Sequence, residues 1–140
     1  MAATERVSIA WADLADIETL QALDHHLAAE FLAQKIIRKE VIVARVDREL
    51  VGWLRYGYFW DNIPFMNLLF VLEPHRGQGI ARQLVAYWED AMRTLGYEQV
   101  LTSTLANESA QHLYRKLGYT DCGALFLPAE AAEIFLRKPL

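Results

Sequence analysis

An apolar strand, a turn with two glycines and a long amphipathic helix follow one another without a break between residues 69 and 95. Apolar residues recur at every fourth position of the helical part, at Ile80, Leu84, Trp88 and Met92. Gly96 stands where a C-terminal cap of this helix belongs. Because such a helix buries one apolar stripe against a neighbouring layer, the unit predicts a domain in which helices cover a sheet.

The pattern along the rest of the chain predicts the other elements of this domain. Alternating or β-branched apolar residues indicate strands at 6–11, 41–46, 51–59, 63–72, 99–105, 120–127 and 133–138. Helical spacing indicates further helices after Asp13, over 26–39 and from Asn107 to Gly118. We expect a three-layer α/β (α+β) fold whose mixed, mostly antiparallel sheet has about seven strands flanked by about four helices. No linker or repeat divides the sequence, which predicts a single domain over residues 1–140.

Composition and charge exclude several classes of protein. Hydrophobic residues make up 54% of the chain and charged residues 23%, which excludes a disordered chain, since disordered chains lack this apolar content. The net charge of −4 argues against a nucleic-acid partner, because nucleic-acid surfaces are normally basic. The longest apolar run, Leu68 to Leu72, is too short for a membrane-spanning helix, so no membrane partner is expected.

The cysteine and histidine residues argue against a metal centre, and no metal is expected. The single cysteine, Cys122, excludes an internal disulfide and a site of several thiolates, and buried packing is its expected environment. His25 and His26 are adjacent, so they point apart on a helix and predict a solvated face. The start of the chain, Met1 to Ser8, shows no secretory signal, which predicts a cytoplasmic protein.

The turn before the long helix predicts an anion-binding site. Unpaired backbone N–H groups at a helix N-terminus bind anions, and Gly77 and Gly79 let the backbone approach a ligand without an intervening Cβ. Arg76 adds a fixed positive charge that can bind a phosphate with two hydrogen bonds. The turn differs from a P-loop and from the dinucleotide fingerprint, because it lacks the Lys–Ser/Thr pair of the one and the third glycine of the other.

Two spaced motifs carry a family resemblance. The first has the form Arg-x-x-Gly-x-Gly/Ala and is filled by Arg76, Gly79 and Ala81, with Val71 five places before the arginine. The second has the form Asn-x-x-Ala-x-x-x-Tyr-x-x-x-Gly-Phe/Tyr and is filled by Asn107, Ala110, Tyr114, Gly118 and Tyr119. At this spacing they resemble the acetyl-CoA-binding elements of the GNAT superfamily of N-acetyltransferases, over about residues 69–119.

The resemblance implies a GNAT-like fold with a splayed pair of central strands, and acetyl-CoA as co-substrate. It implies that backbone amides of Leu69, Phe70 and Val71 bind the pantetheine arm and the thioester carbonyl. It implies that the pyrophosphate is bound by Arg76, Gly77, Gln78, Gly79, Ile80 and Ala81. It implies that Asn107 and Tyr114 belong to a second CoA-binding element. Tyr114 is the expected catalytic acid, since a phenol with a pKa of about 10 is a suitable proton donor to a departing thiolate.

Several of these residues have a second interpretation at the level of sequence. Tyr114 lies on an apolar helix face and could be a core aromatic, and Asn107 could serve only as a helix N-cap. In the aromatic hairpin, Tyr56, Tyr58 and Trp60 share one face, and Trp53 and Phe59 share the other. Packing against helices explains either set more simply than an acceptor site does.

The sequence does not indicate which group deprotonates the amine. In family members with a carboxylate base on the central strand, the base lies six residues before the motif valine. Phe65 occupies that position here, and Asn67 is the next residue on the same face. Because neither side chain can accept a proton, a water relay ending at Asp61, Glu30 or the Ser103 region is left open.

The leading functional hypothesis is N-acetyl transfer from acetyl-CoA to a primary amine by direct transfer. The acidic balance and the aromatic hairpin favour a small amine as acceptor. One alternative is acetylation of protein N-termini or lysines, and another is a non-catalytic acyl-CoA-binding domain that regulates a partner. Tyr114 favours catalysis, because a protein that only binds acyl-CoA has no use for a thiolate acid. A homodimer is a further open expectation.

Overall fold

The structure is a computed structural model that describes residues 6–140. The strands are β1 (Val7–Trp11), β2 (Val41–Val46), β3 (Glu49–Phe59), β4 (Ile63–Val71), β5 (Gln99–Leu105), β6 (Thr120–Leu125) and β7 (Glu133–Pro139). The α-helices are α1 (Ile17–Leu23), α2 (Ala29–Ile37), α3 (Ile80–Thr94) and α4 (Ala110–Lys116), and short 3-10 helices cover Leu14–Asp16 and Glu73–His75. The expectation about the chain start, Met1 to Ser8, falls largely outside the described residues.

The strands form one seven-stranded sheet in the order β1-β2-β3-β4-β5-β7-β6. The pairs β1–β2, β2–β3, β5–β7 and β6–β7 are antiparallel, whereas β4 and β5 run parallel. The parallel register joins Phe65 to Leu101 and Met66 to Thr102, both in the first half of β4. The predicted mixed, mostly antiparallel sheet of seven strands with four α-helices is confirmed.

Two tight turns connect β2 to β3 and β3 to β4. Asp47 and Arg48 have φ angles of 50° and 73°, and Trp60 and Asp61 have φ angles of 54° and 62°. Two successive residues with positive φ match the right-handed twist of flanking antiparallel strands. The amide of Asn62 closes the second turn by donating to the carbonyl of Phe59 at 3.2 Å. The hairpin predicted around Trp60 to Asn62 is confirmed.

Backbone contacts divide the chain into two compact units. The first consists of Met1–Tyr56 and Leu68–Trp88, and the second of Gly57–Asn67 and Glu89–Leu140. In the first unit, α1 and α2 cover a core that contains Leu20, Leu32, Ile36, Val41, Val43, Leu50 and Trp53. Trp53 belongs to this core and contacts the ring of Phe70 on β4 at 5.2 Å, whereas Tyr56 contacts Trp88 of α3 at 5.7 Å, so both aromatic side chains pack within the first unit.

A buried ion pair joins the end of α1 to β3 in the first unit. Asp24 follows α1 directly, and its carboxylate accepts hydrogen bonds from Arg55 Nε at 3.0 Å and from Trp53 Nε1 at 3.3 Å. The Asp24 side chain is 0% exposed and that of Arg55 is 8% exposed. Because each charge gives up its hydration here, the pair depends on these mutual hydrogen bonds.

The second unit is built around the antiparallel pairing of β5 with β7. Its buried side chains include Met66, Met92, Val100, Thr102, Tyr114, Tyr119 and Leu136. Glu89 is buried as well, and its carboxylate accepts hydrogen bonds from the Tyr119 hydroxyl at 2.8 Å and from Lys138 Nζ at 2.9 Å. Within residues 6–140, no helix combines the length and the apolar run that a membrane crossing requires.

Three predictions about local structure are wrong. Asp13 caps a 3-10 helix instead of α1, and its carboxylate accepts from the amide of Ala15 at 2.8 Å. The second helix begins at Ala29 instead of residue 26, because the Asp24 side chain accepts from the amide of His26 and holds a turn there. Cys122 is exposed instead of buried, since every residue of β6, the last strand of the sheet, is exposed.

Candidate functional site

The turn that leads from β4 into α3 lies in the first unit and adopts a backbone that requires glycine. Gly77 and Gly79 have φ angles of 77° and 83°, in the region that residues with a Cβ rarely adopt. A Cβ built on either glycine would have no heavy atom of the described chain within 4 Å. The turn therefore keeps open space beside its backbone on the side where other residues carry a side chain.

The start of α3 supplies unpaired backbone donors next to these glycines. The first helical hydrogen bond runs from the amide of Gln83 to the carbonyl of Gly79 at 3.1 Å. The amides of Ile80 and Ala81 precede that bond, so they have no carbonyl one turn earlier in the helix. With the positive end of the helix dipole, these groups favour an anion at this position.

Arg76 is held in place by the end of β4. Its Nε donates to the carbonyl of Val71 at 2.8 Å, and its guanidinium carbon lies 5.1 Å from the centre of the Phe70 ring. These two contacts leave the residue exposed but fix the direction of its side chain. The spacing of five between Val71 and Arg76, noted in the sequence, therefore corresponds to a hydrogen bond that closes the turn.

Gly52 supports this turn from the neighbouring strand, and sequence reasoning missed it. A Cβ at position 52 would lie 3.0 Å from the carbonyl oxygen of Phe70 and 3.3 Å from Cγ2 of Val71. Only glycine therefore lets β3 approach the end of β4 this closely. The signal was available, because an isolated glycine inside a strand pattern indicates a close backbone approach.

Tyr114 lies in the second unit, on the inner face of α4. Its side chain is buried, and its ring lies 5.9 Å from that of Tyr119. Burial raises the pKa of Tyr114 to about 12, and the nearby Thr102 side chain acts in the opposite direction. The phenol therefore carries its proton throughout the neutral pH range.

Asn107 is exposed and is not the N-cap of α4, contrary to one interpretation of the sequence. The helix is capped at Ser109, and Asn107 lies two residues earlier in the turn after β5. Gln111 holds this turn, since its Nε2 donates to the carbonyls of Ala106 and Glu108, each at 2.8 Å. The side chain of Asn107 is thus presented on the surface of the second unit.

The strand positions at which a base would lie are occupied by Phe65 and Asn67, and neither is an acid. Phe65 packs against Phe59 and Phe135, with ring centres 6.2 and 5.9 Å apart, and Asn67 is exposed. Asp61 lies exposed in the second hairpin turn, and Ser103 is half-buried on β5. Among the residues that the structure describes, no three His, Cys, Asp or Glu side chains lie together in a group that could hold a metal ion.

The structure places the predicted site residues in two groups. One group lies within residues 69–81 of the first unit and consists of Leu69, Phe70, Val71, Arg76, Gly77, Gln78, Gly79, Ile80 and Ala81. Asn107 and Tyr114 lie in the second unit, the former exposed and the latter buried. His25 and His26 are exposed between α1 and α2, as a solvated pair.

Comparison with known proteins adds a family match. The sequence model of the acetyltransferase (GNAT) family matches residues 9–119. The chain is 32% identical to acetyltransferase Atu2258 from Agrobacterium fabrum (strain C58 / ATCC 33970) over 117 residues, which cover 81% of this chain and 84% of that protein. It is 31% identical to streptothricin acetyltransferase from Escherichia coli over 80 residues, 55% of this chain. That match covers 45% of the Escherichia coli protein, so this chain spans less than half of that relative.

A solved structure shows the same fold. The crystal structure of PaiA N-acetyltransferase from Thermoplasma acidophilum in complex with coenzyme A has a TM-score of 0.79 to this chain. The match covers 96% of this chain and 99% of that one at 16% sequence identity. At this identity the likeness shows the fold alone.

Proposed function

This chain belongs to the acetyltransferase (GNAT) family, and on that premise we propose that it transfers an acetyl group from acetyl-CoA directly to a primary amine. The observation that carries the proposal is the turn from Arg76 to Gly79, whose open backbone, fixed guanidinium and helix start suit a pyrophosphate. The proposed acceptor is a small amine. Two observations support a small amine as acceptor. The chain has a net charge of −4, and one relative is a streptothricin acetyltransferase.

Acetyl-CoA supplies the acetyl group as an activated thioester, and the first unit fits its phosphates. Arg76 and the backbone of Gly77, Gln78, Gly79, Ile80 and Ala81 would hold the pyrophosphate. The amides of Leu69, Phe70 and Val71, which lie beyond the β5-paired residues of β4, would hold the pantetheine arm and polarise the carbonyl. Asn107, whose side chain is exposed, is proposed as a further CoA-binding residue.

Tyr114 would act as the general acid. Its raised pKa of about 12 keeps the phenol protonated at working pH, which is the state that a proton donor requires. The amine must lose a proton before it attacks, and no side chain at Phe65 or Asn67 can take it. We therefore assign that proton to water, with Asp61, Glu30 or Ser103 as the candidate end of the relay.

A thiol-release assay with a panel of amines tests the proposal. Small amines, a peptide with a free N-terminus and a peptide with an internal lysine are each incubated with acetyl-CoA, and products are identified by mass spectrometry. We expect thiol release that requires an amine, with small amines turned over fastest. Faster turnover of either peptide would assign a protein acceptor instead. Tight CoA binding with no acetylated product would identify a binding domain and overturn the proposal.

Gly79→Asp should weaken CoA binding by at least about tenfold, or about 1.4 kcal/mol. The new carboxylate would lie next to the phosphates, and the positive φ of 83° would strain the turn. Gly79→Ala is the matched control, because it imposes the same strain without the charge. Calorimetric titration should give the order parent, Ala, Asp from tightest to weakest. Parental affinity in a folded Asp variant would contradict the phosphate assignment.

The same proposal includes a single domain that works in the cytoplasm as a homodimer. An exposed thiol such as Cys122 stays reduced in that compartment.

The last strand of the sheet supports a dimer, since β6 is exposed along its whole length, including Leu125, and is followed by the exposed residues Phe126 and Leu127. Light scattering should give the mass of a dimer for the parent and of a monomer for Phe126→Asp. A monomeric parent would contradict this part of the proposal.

A further inference from the structure

The side chain of Arg76 makes two contacts with the end of β4, both within the first unit. Its Nε donates to the carbonyl of Val71 at 2.8 Å, and its guanidinium carbon lies 5.1 Å from the centre of the Phe70 ring. A cation at this distance from a ring centre is attracted by the negative face of the aromatic ring. The hydrogen bond therefore fixes one edge of the guanidinium, and the ring contact restrains its plane.

The Phe70 ring is itself supported by the core of the first unit. Its centre lies 5.2 Å from that of the Trp53 ring, and Trp53 is 2% exposed. The indole Nε1 of Trp53 donates to the buried carboxylate of Asp24 at 3.3 Å, so a hydrogen bond holds this ring in addition to core packing. Phe70 is 38% exposed. An exposed arginine thus lies against a surface ring whose position is set by a buried one.

These contacts leave the phosphate-binding part of Arg76 available. A guanidinium has five N–H donors, and Nε carries only one of them. The four donors on the two terminal nitrogens have no hydrogen-bond partner within residues 6–140. These terminal nitrogens are the groups with which an arginine can bind a phosphate through two parallel hydrogen bonds.

We propose that Phe70 is a positioning residue for Arg76, because its ring sets the plane of the guanidinium before the pyrophosphate binds. The inference rests on the proposed function, which assigns the pyrophosphate to Arg76 and the turn that follows it. It gives the Phe70 side chain a role of its own, separate from that of the Phe70 backbone amide.

The benefit of this arrangement comes from the conformational entropy of the arginine side chain. Arginine has many rotamers, and restricting it to one of them costs free energy. A side chain that is already restricted in the free protein does not incur this cost again when the ligand binds. The affinity for CoA therefore depends on Phe70 through Arg76, and the ring need not touch the phosphates.

Phe70→Leu removes the aromatic face and keeps an apolar side chain at this position. We expect the Kd for CoA, measured by calorimetric titration, to rise about fivefold, which corresponds to about 1 kcal/mol. Phe70→Tyr should keep the Kd within about twofold of the parent value, because it retains the ring face. If Phe70→Leu fails to fold, Phe70→Met removes the ring with a more adaptable side chain and is measured instead.

Phe31→Leu is the matched control. Phe31 lies on α2 of the same unit and is 51% exposed, so the same exchange removes an exposed ring that is not part of the contact with Arg76. This variant should bind CoA with the parental Kd.

A double variant tests whether the Phe70 ring acts through the arginine. In an Arg76→Ala background, Phe70→Leu should cause no further loss of CoA affinity, because the group that the ring positions is absent. An undiminished loss in that background would mean that the ring contacts the ligand itself, and it would overturn the positioning role.

A readout without CoA separates this inference from the proposed function. In the free protein, the ¹⁵Nε–Hε resonance of Arg76 can be assigned by its loss in Arg76→Ala. It should shift in Phe70→Leu and stay in place in Phe31→Leu, because an aromatic ring alters the shielding of nearby protons. An unshifted resonance, or parental CoA affinity in a folded Phe70→Leu, would overturn the positioning role. Failure of the parent to bind CoA would overturn the proposed phosphate site, while the resonance would still test the contact between Phe70 and Arg76.

Discussion

Tyr114→Phe should lower kcat by roughly 10²-fold, the usual scale for loss of a general acid, and leave the KM for acetyl-CoA near the parent value. The substitution removes only the hydroxyl, so the ring keeps its contact with Tyr119 at 5.9 Å. The pyrophosphate turn lies in a different part of the chain, between Arg76 and Gly79, and is unchanged. Steady-state kinetics on an accepted amine make the measurement.

The pH dependence gives this prediction a control. Because burial raises the pKa of Tyr114 to about 12, the acid form is lost only as the pH rises through that value. The parent should therefore show no loss of kcat from Tyr114 ionisation up to about pH 11. If Tyr114 is only a core aromatic, the Phe variant will show an altered melting temperature with parental kcat, and water becomes the proton donor.

Asp24→Ala should lower the free energy of unfolding by about 3–5 kcal/mol, the largest effect on stability that we expect. The substitution leaves the guanidinium of Arg55 buried without its carboxylate and also removes the acceptor of Trp53 Nε1. It also frees the amide of His26, to which the Asp24 side chain is bonded at 3.1 Å, so the α1–α2 turn loosens. Urea denaturation of the parent and the variant measures the difference.

Two further variants test whether burial of the ion pair causes the loss of stability in Asp24→Ala. Asp90→Ala removes an exposed partner of Arg93, with a distance of 2.7 Å and an Asp90 side chain that is 76% exposed, and should cost less than about 1 kcal/mol. Asp24→Leu combined with Arg55→Met removes both charges and should recover part of the loss, since apolar side chains replace the buried pair. Equal losses in Asp24→Ala and Asp90→Ala would contradict the role of burial.

The sequence by itself was sufficient for the elements whose signal is local. The four-residue spacing from Ile80 to Met92 and the alternation in β5 depend on neighbours within one or two turns of the chain, and the structure confirms both elements. The Trp60–Asp61 hairpin and the caps at Gly96 and Gly118 are likewise determined by residues next to them in sequence. The pyrophosphate turn could be predicted for the same reason, because its motif residues are close together in the sequence.

Only the tertiary structure decided the features that depend on which strands become neighbours. The close approach of β3 at Gly52 to the carbonyl of Phe70 joins residues 18 positions apart, and the bond from Thr102 to Met66 joins residues 36 apart. Periodicity along one element carries no information about such pairs, because strand order and register bring them together. The exposure of Cys122 has the same origin. The sequence around it predicts a strand but not the position of that strand, and the sheet order places β6 at the edge.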